Sequence, residues 1–82
     1  MEQTELQRII EAILFASGER IEISRLASTL ETDEKDIEAA VDALMDELSF
    51  NRRGIRIIRL EKGYQMVSSG EMADYITKAL ER

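Results

Sequence analysis

The sequence predicts an α+β fold of the winged helix-turn-helix type: three helices, a small antiparallel β-sheet with a hairpin wing, and a C-terminal helix. Three stretches with helical spacing of apolar residues come first, and two alternating stretches across a short glycine-containing turn follow them. The chain has 82 residues, which is the size of one small domain. We therefore expect residues 1–82 to form a single unit.

The first helix is predicted from about Thr4 to Ser17, with Gly18 as its left-handed cap. Its apolar face carries Leu6, Ile9, Ile10, Ile13 and Leu14. Residues 20–23 alternate between charged and apolar side chains, which predicts a very short strand. We expect this strand to pair with the hairpin as the third strand of the sheet, because a lone hairpin is marginally stable in water.

Two further helices are predicted before the hairpin. Ser24 has the character of an N-cap for a short helix that ends near Glu31. Asp33 is the predicted N-cap of the longest helix, which continues to about Ser49. Its apolar positions keep one face throughout and are expected to be core: Ile37, Ala40, Val41, Leu44, Met45 and Leu48.

The hairpin and the last helix complete the fold. The predicted strands are Ile55–Leu60 and Tyr64–Val67, and the doublet at 57–58 predicts either a bulge or a strand buried on both faces. Ser68 and Glu71 have the spacing of a capping box for a helix that continues to near Arg82. The apolar stripe of this helix, like the others, is expected to be core.

The composition argues against an enzyme. The chain contains no histidine and no cysteine, so imidazole and thiolate chemistry have no side chains to use. We therefore predict no catalytic residues, no cofactor and no metal. No apolar run is long enough to span a membrane, and no signal-peptide pattern opens the chain, so we expect a cytoplasmic protein without membrane contact.

The third helix is unsuited to reading DNA. Between Asp33 and Ser49 it carries seven acidic residues and one basic residue, Lys35. Such a helix repels phosphates and has no arginine to bind guanine. The net charge of the whole chain, −6, points the same way.

The hairpin region has the opposite charge. Arg52, Arg53, Arg56, Arg59 and Lys62 are accompanied by one acidic residue, Glu61. One interpretation is a wing that contacts phosphates or an acidic protein surface. The other is a solvated strand face that pairs with the acidic third helix.

Two aromatic residues lie off the apolar helix faces. Phe15 points away from the core face of the first helix, and Phe50 lies at the end of the third. Each is a candidate anchor for a protein interface, because exposed aromatic side chains often supply binding energy. The alternative is that they fold back onto the core, which we favour for Phe50.

Residues 10–44 and 54–76 resemble the amino-terminal domain of the bacterial segregation and condensation protein B (ScpB) family. The family commonly has a proline at the position of Arg20, where this chain departs from it. The features that carry the resemblance are the helix segment Ile10–Phe15 leading into Ser17-Gly18-Glu19, the pair Leu26-Ala27, and the wing segment Gly63–Val67.

The resemblance implies a non-enzymatic subunit of the bacterial SMC–kleisin condensin, which acts in chromosome condensation and segregation. Its implied partners are a second copy in a homodimer, the kleisin ScpA and the SMC ATPase, with DNA reached through the complex at the nucleoid. It also implies that this domain is the first of two. A winged-helix module that binds DNA phosphates through the basic wing is the alternative.

Overall fold

The computed structural model describes residues 1–81. Four α-helices, three β-strands and one 3-10 turn follow each other in the predicted order. They are α1 (Gln3–Ser17), β1 (Ile21–Glu22), α2 (Ile23–Leu30), α3 (Glu34–Phe50), β2 (Ile55–Leu60), β3 (Gly63–Ser68), the 3-10 turn (Gly70–Met72) and α4 (Ala73–Leu80). The winged-helix prediction is confirmed.

The sheet has the order β1-β3-β2, and both pairings are antiparallel. The predicted third strand is therefore real, and it pairs with β3. The predicted bulge is wrong, because each residue of β2 has a partner on β3 in one continuous register. The alternative of a strand buried on both faces is also wrong: Ile57 is buried, whereas Ile58 is 37% exposed. β2 therefore has one buried and one solvated face, and the two residues of the doublet at 57–58 lie on opposite faces.

The core lies between α1, α2, α3 and the inner face of the sheet. Its largest fully buried side chains are Tyr64, Ile10, Leu14, Leu26, Ile37 and Val41. The helix faces predicted from periodicity supply most of these positions, since residues three and four apart share one face.

The helix starts differ from the predicted caps. α2 begins at Ile23, not at Ser24, because β1 leads directly into it and the Ile23 amide donates to the carbonyl of Lys62 over 2.8 Å. Asp33 precedes α3 as predicted, although its side chain makes no capping hydrogen bond. The predicted capping box of Ser68 and Glu71 does not form, since a 3-10 turn stands before α4.

α4 departs most from expectation. None of its residues is buried, so the prediction that its apolar stripe is core is wrong. Its main neighbour is the 3-10 turn that precedes it. The radius of gyration is 13.6 Å, compared with about 12 Å expected for a compact domain of this length. The helix projects from the domain, which measures 43 Å along its longest axis.

Candidate protein-interaction surfaces

The solvent side of α3 is acidic. Its carboxylates are exposed, apart from the half-buried Glu38. In winged helices that read DNA bases, the third helix enters the major groove. Here that helix would bring carboxylates against phosphates, which is repulsive.

Arg59 of the basic wing faces α3. Its Nη1 atom lies 3.6 Å from Oε2 of Glu38, and its guanidinium carbon lies 5.9 Å from the centre of the Tyr64 ring. The first contact is a half-exposed ion pair and the second is at the outer limit of a cation–π interaction. Arg59 therefore links β2 to α3, as the interpretation of a wing paired with the acidic helix predicts.

Arg56 is also engaged within the chain. Its side chain is half-buried, and Nη1 donates to the carbonyl oxygens of Arg53 and Ile55, the latter over 2.8 Å. These hydrogen bonds hold the guanidinium against the start of β2. The basic cluster is therefore divided, with Arg56 and Arg59 occupied by intramolecular contacts.

The corner between α3 and β2 is the most exposed part of the predicted site. Arg52 and Arg53 are exposed there, and Phe50 is 87% exposed. The expectation that Phe50 folds back onto the core is wrong. α3 continues through Phe50, and because each helical residue turns by about 100°, Phe50 points about 200° away from the buried Leu48. The chain reverses only afterwards, through the left-handed Arg52 at φ 51°.

Phe15 lies in a different place, at the edge of an apolar groove. The side chain is 77% exposed, as its position off the core face predicts. We call this the α1 groove. It has a volume of about 400 Å³ and is lined by Arg8, Glu11, Ala12, Phe15, Ile55 and Met66. The structure thus separates the two predicted aromatic anchors: Phe50 belongs to the corner, and Phe15 belongs to the α1 groove.

The exposed face of α4 is a surface that the sequence analysis missed. Tyr75 and Leu80 are 72% and 75% exposed, and Met72 and Ile76 are half-buried. The helical spacing of these residues was visible in the sequence, but a stripe of this kind does not show whether its cover belongs to the same chain.

Tyr64 is a structural residue that the sequence analysis also missed. The ring is fully buried, and its hydroxyl has no hydrogen-bond partner among residues 1–81. Burial raises the pKa of Tyr64 above its usual value of 10.0; Arg59 opposes this shift, while Glu38 and Asp42 add to it. Burial therefore favours the neutral form of this side chain.

Residues 1–81 provide no recognisable chemical centre. No group of three or more acidic side chains in this range is placed to hold a metal ion. Within the same range, no helix combines the length and apolar character that crossing a membrane requires. What the surface does provide is two apolar areas, the α1 groove and the face of α4, and one exposed basic corner.

The comparison with protein families shows to which family the chain belongs. The model of the family described as "Segregation and condensation complex subunit ScpB" matches residues 8–82. The chain belongs to the ScpB family. The family resemblance predicted from the sequence is therefore confirmed.

Relatives in the ScpB family are similar over nearly the whole chain. Segregation and condensation protein B of Lachnoclostridium phytofermentans is 40% identical over 78 residues, which is 95% of this chain and 41% of the relative. The protein of Clostridioides difficile is 39% identical over 83 residues, or 99% of this chain and 46% of the relative. The chain thus spans less than half the length of these ScpB proteins.

Two solved ScpB structures share the fold. A dimer of the ScpB N-terminal domain in complex with an ScpA peptide superposes with a TM-score of 0.87 at 28% identity, covering 94% of this chain and 96% of that one. ScpB from Mycobacterium tuberculosis gives a TM-score of 0.91 at 26% identity, over 98% of this chain and 50% of that one. Because the second alignment leaves almost no residue out, the projecting α4 belongs to the shared ScpB fold.

Proposed function

We propose that this chain is the amino-terminal, self-associating domain of a ScpB-type subunit of an SMC–kleisin complex that condenses and segregates chromosomes. It acts without catalysis, by holding partners together. Its partners are a second copy and the kleisin ScpA, with the SMC ATPase and DNA reached through the assembled complex at the nucleoid in the cytoplasm.

One observation carries the proposal. The solved N-terminal domain that this chain matches over 96% of its length is described as a dimer in complex with an ScpA peptide. The surface of the chain supports the same use, since its helix in the DNA-reading position is acidic and its free apolar areas suit protein contacts. The relatives are more than twice as long, which supports the proposal that a second domain follows in the full-length protein.

Binding of ScpA from the same organism tests this function. We expect the 82-residue chain to bind ScpA in isothermal titration calorimetry, with little dependence on salt. A matched titration with a short DNA duplex is expected to give no binding, or binding at about 50 mM salt that is lost at about 200 mM. Absence of ScpA binding, or tight DNA binding that survives the higher salt, would contradict the proposal.

The exposed corner supports one alternative function, a weak phosphate contact by the wing. If the alternative holds, replacing Arg52 and Arg53 together by alanine abolishes the low-salt DNA binding. Replacing Arg56 and Arg59 has less effect, because those guanidinium groups already contact other parts of the chain. The reverse order of effects would show that the intramolecular contacts of Arg56 and Arg59 open when DNA binds.

A further inference from the structure

We propose that two copies of this chain exchange their α4 helices, so that the apolar face of each α4 lies in the α1 groove of the other copy. This inference rests on the proposed self-association and names the surface that performs it. This contact would bring together the two solvent-exposed apolar areas, namely the α1 groove and the α4 face.

The length of α4 is the first argument. The helix has eight residues and none is buried. Helices shorter than about 12–15 residues are marginal in water unless a packed face stabilises them. Since its main neighbour among the described residues is the preceding 3-10 turn, a further packed surface would stabilise α4.

The shape of the groove is the second argument. Its volume of about 400 Å³ is more than twice the ~150 Å³ of an apolar cavity that takes up one benzene ring. It can therefore receive Tyr75 together with an aliphatic neighbour such as Ile76 or Leu80. Phe15, Ile55 and Met66 would supply the apolar wall.

Charge complementarity is the third argument. Arg8 and Glu11 lie one helical turn apart beside the groove. Asp74 and Lys78 lie one turn apart on α4, on the flank of its apolar face next to Tyr75. Glu11, Asp74 and Lys78 form no salt bridge with another described residue. Arg8 forms an ion pair of 3.3 Å with Glu5, but this pair is exposed and therefore weak, so it can exchange partners. A docked α4 can therefore place Asp74 near Arg8 and Lys78 near Glu11 at the same time.

A second copy is the occupant that satisfies both surfaces at once. In a two-fold dimer each copy gives one helix and one groove, and the interface closes on itself. The two Phe15 and two Tyr75 rings bury about 150–250 Å² each when fully covered. Because about three quarters of each side chain is exposed before docking, they supply on the order of a third of the ~1,200–2,000 Å² that specific interfaces bury.

The test uses two variants that each damage one half of the contact. Phe15→Asp places a charge in the groove, and Tyr75→Asp places one on the helix. Phe50→Asp is the matched control, because it makes the same kind of change at an exposed aromatic outside both surfaces. All three positions are more than 70% exposed, and circular dichroism checks that each variant folds. Phe15→Ala and Tyr75→Ala provide milder versions without a new charge.

Sedimentation equilibrium is expected to give wild type and Phe50→Asp as dimers with the same dissociation constant. Phe15→Asp and Tyr75→Asp alone each lose both helix-groove contacts, and their dissociation constants are expected to rise about 10²–10³-fold. A mixture of the two regains dimer, because the intact helix of one variant fits the intact groove of the other. Native mass spectrometry is expected to show this mixed dimer, with a rise of only about 10–30-fold relative to wild type.

Three results would overturn the inference while leaving self-association in place. These are dimers of normal affinity for either variant alone, no rescue in the mixture, or loss of the dimer in Phe50→Asp. Two other arrangements would give distinct results. If the α4 helices pair with each other, Phe15→Asp forms normal dimers. If α4 docks onto the groove of its own chain, the measured mass of both variants equals that of wild type. A wild-type chain that is monomeric at every concentration would contradict the proposed self-association itself.

Discussion

Tyr64→Ala is expected to lower the free energy of unfolding by about 3–5 kcal/mol. The ring is fully buried in the core, and the guanidinium carbon of Arg59 lies 5.9 Å from its centre. Removing it leaves a cavity that the short strands cannot close. A chain of this size has a total stability of about 4–12 kcal/mol, so the variant is close to unfolding. Urea denaturation followed by circular dichroism measures the change.

Tyr64→Phe is the matched control for this prediction. It keeps the ring and removes only the hydroxyl, which has no hydrogen-bond partner among residues 1–81. The stability of this variant is expected to stay within about 1 kcal/mol of wild type or to increase, because an unpaired buried hydroxyl is unfavourable. Phe50→Ala removes an exposed aromatic ring instead of a buried one, and it is expected to change the free energy of unfolding by less than about 0.5 kcal/mol. A large loss in Tyr64→Phe would show that the hydroxyl has a partner and would contradict this description of the site.

Gly63→Ala is expected to detach β1 from the sheet and to cost about 1–3 kcal/mol. A Cβ atom at this position would lie 2.8 Å from the carbonyl oxygen of Ile21 and 2.8 Å from Nε of Arg20. The arginine side chain can move, but the Ile21 oxygen belongs to the backbone of β1. Arg20 would also lose the hydrogen bond of 3.0 Å that Nε donates to the carbonyl of Leu60.

Hydrogen exchange at the amide of Ile23 measures this detachment directly. That amide donates to Lys62 across the junction between β1 and the hairpin turn, so its protection is expected to fall more than that of α1 amides. Gly54→Ala is the matched control, because nothing lies within 4 Å of a Cβ built there. It is expected to be neutral or to stabilise the chain by about 0.4–1 kcal/mol. Equal effects of the two substitutions would contradict the close approach of β1 at Gly63.

Periodicity was sufficient to predict the helices and the hairpin, and the marginal stability of a lone hairpin predicted the pairing of the short strand. The apolar faces of α1 and α3 depend on residues three and four positions apart, and this information is local. Gly18 was recognisable as a helix end for the same reason, and the structure places it at φ 66°. The approximate element bounds therefore followed from the sequence alone.

The features that the sequence did not predict depend on contacts between distant residues. Gly63 was predicted as part of a turn, but its small size matters because β1, about forty residues earlier, pairs closely beside it in the sheet. In the sequence Tyr64 is one position of an alternating strand, and its complete burial depends on the elements that pack over the sheet. The orientation of Phe50 depended on one extra residue at the end of α3, which rotates its side chain by about 100°.

The candidate site was predicted only in part. The exposure of Phe15 followed from its place on the α1 helix, whereas the α1 groove also needs Ile55 and Met66 from the sheet. The basic residues lie in and just before the hairpin, but a list of charges does not show which of them contact other parts of the chain. Arg56 contacts two backbone carbonyl oxygens, and Arg59 contacts a carboxylate on another element.

The central claim is that this winged helix serves self-association rather than base recognition. Sedimentation equilibrium of the wild-type chain, up to millimolar concentration, tests it most directly. We predict that the apparent mass rises with concentration towards twice the 9.4 kDa of one chain. This behaviour should persist at high salt, because apolar burial drives the association. A mass that stays at one chain throughout would contradict the claim.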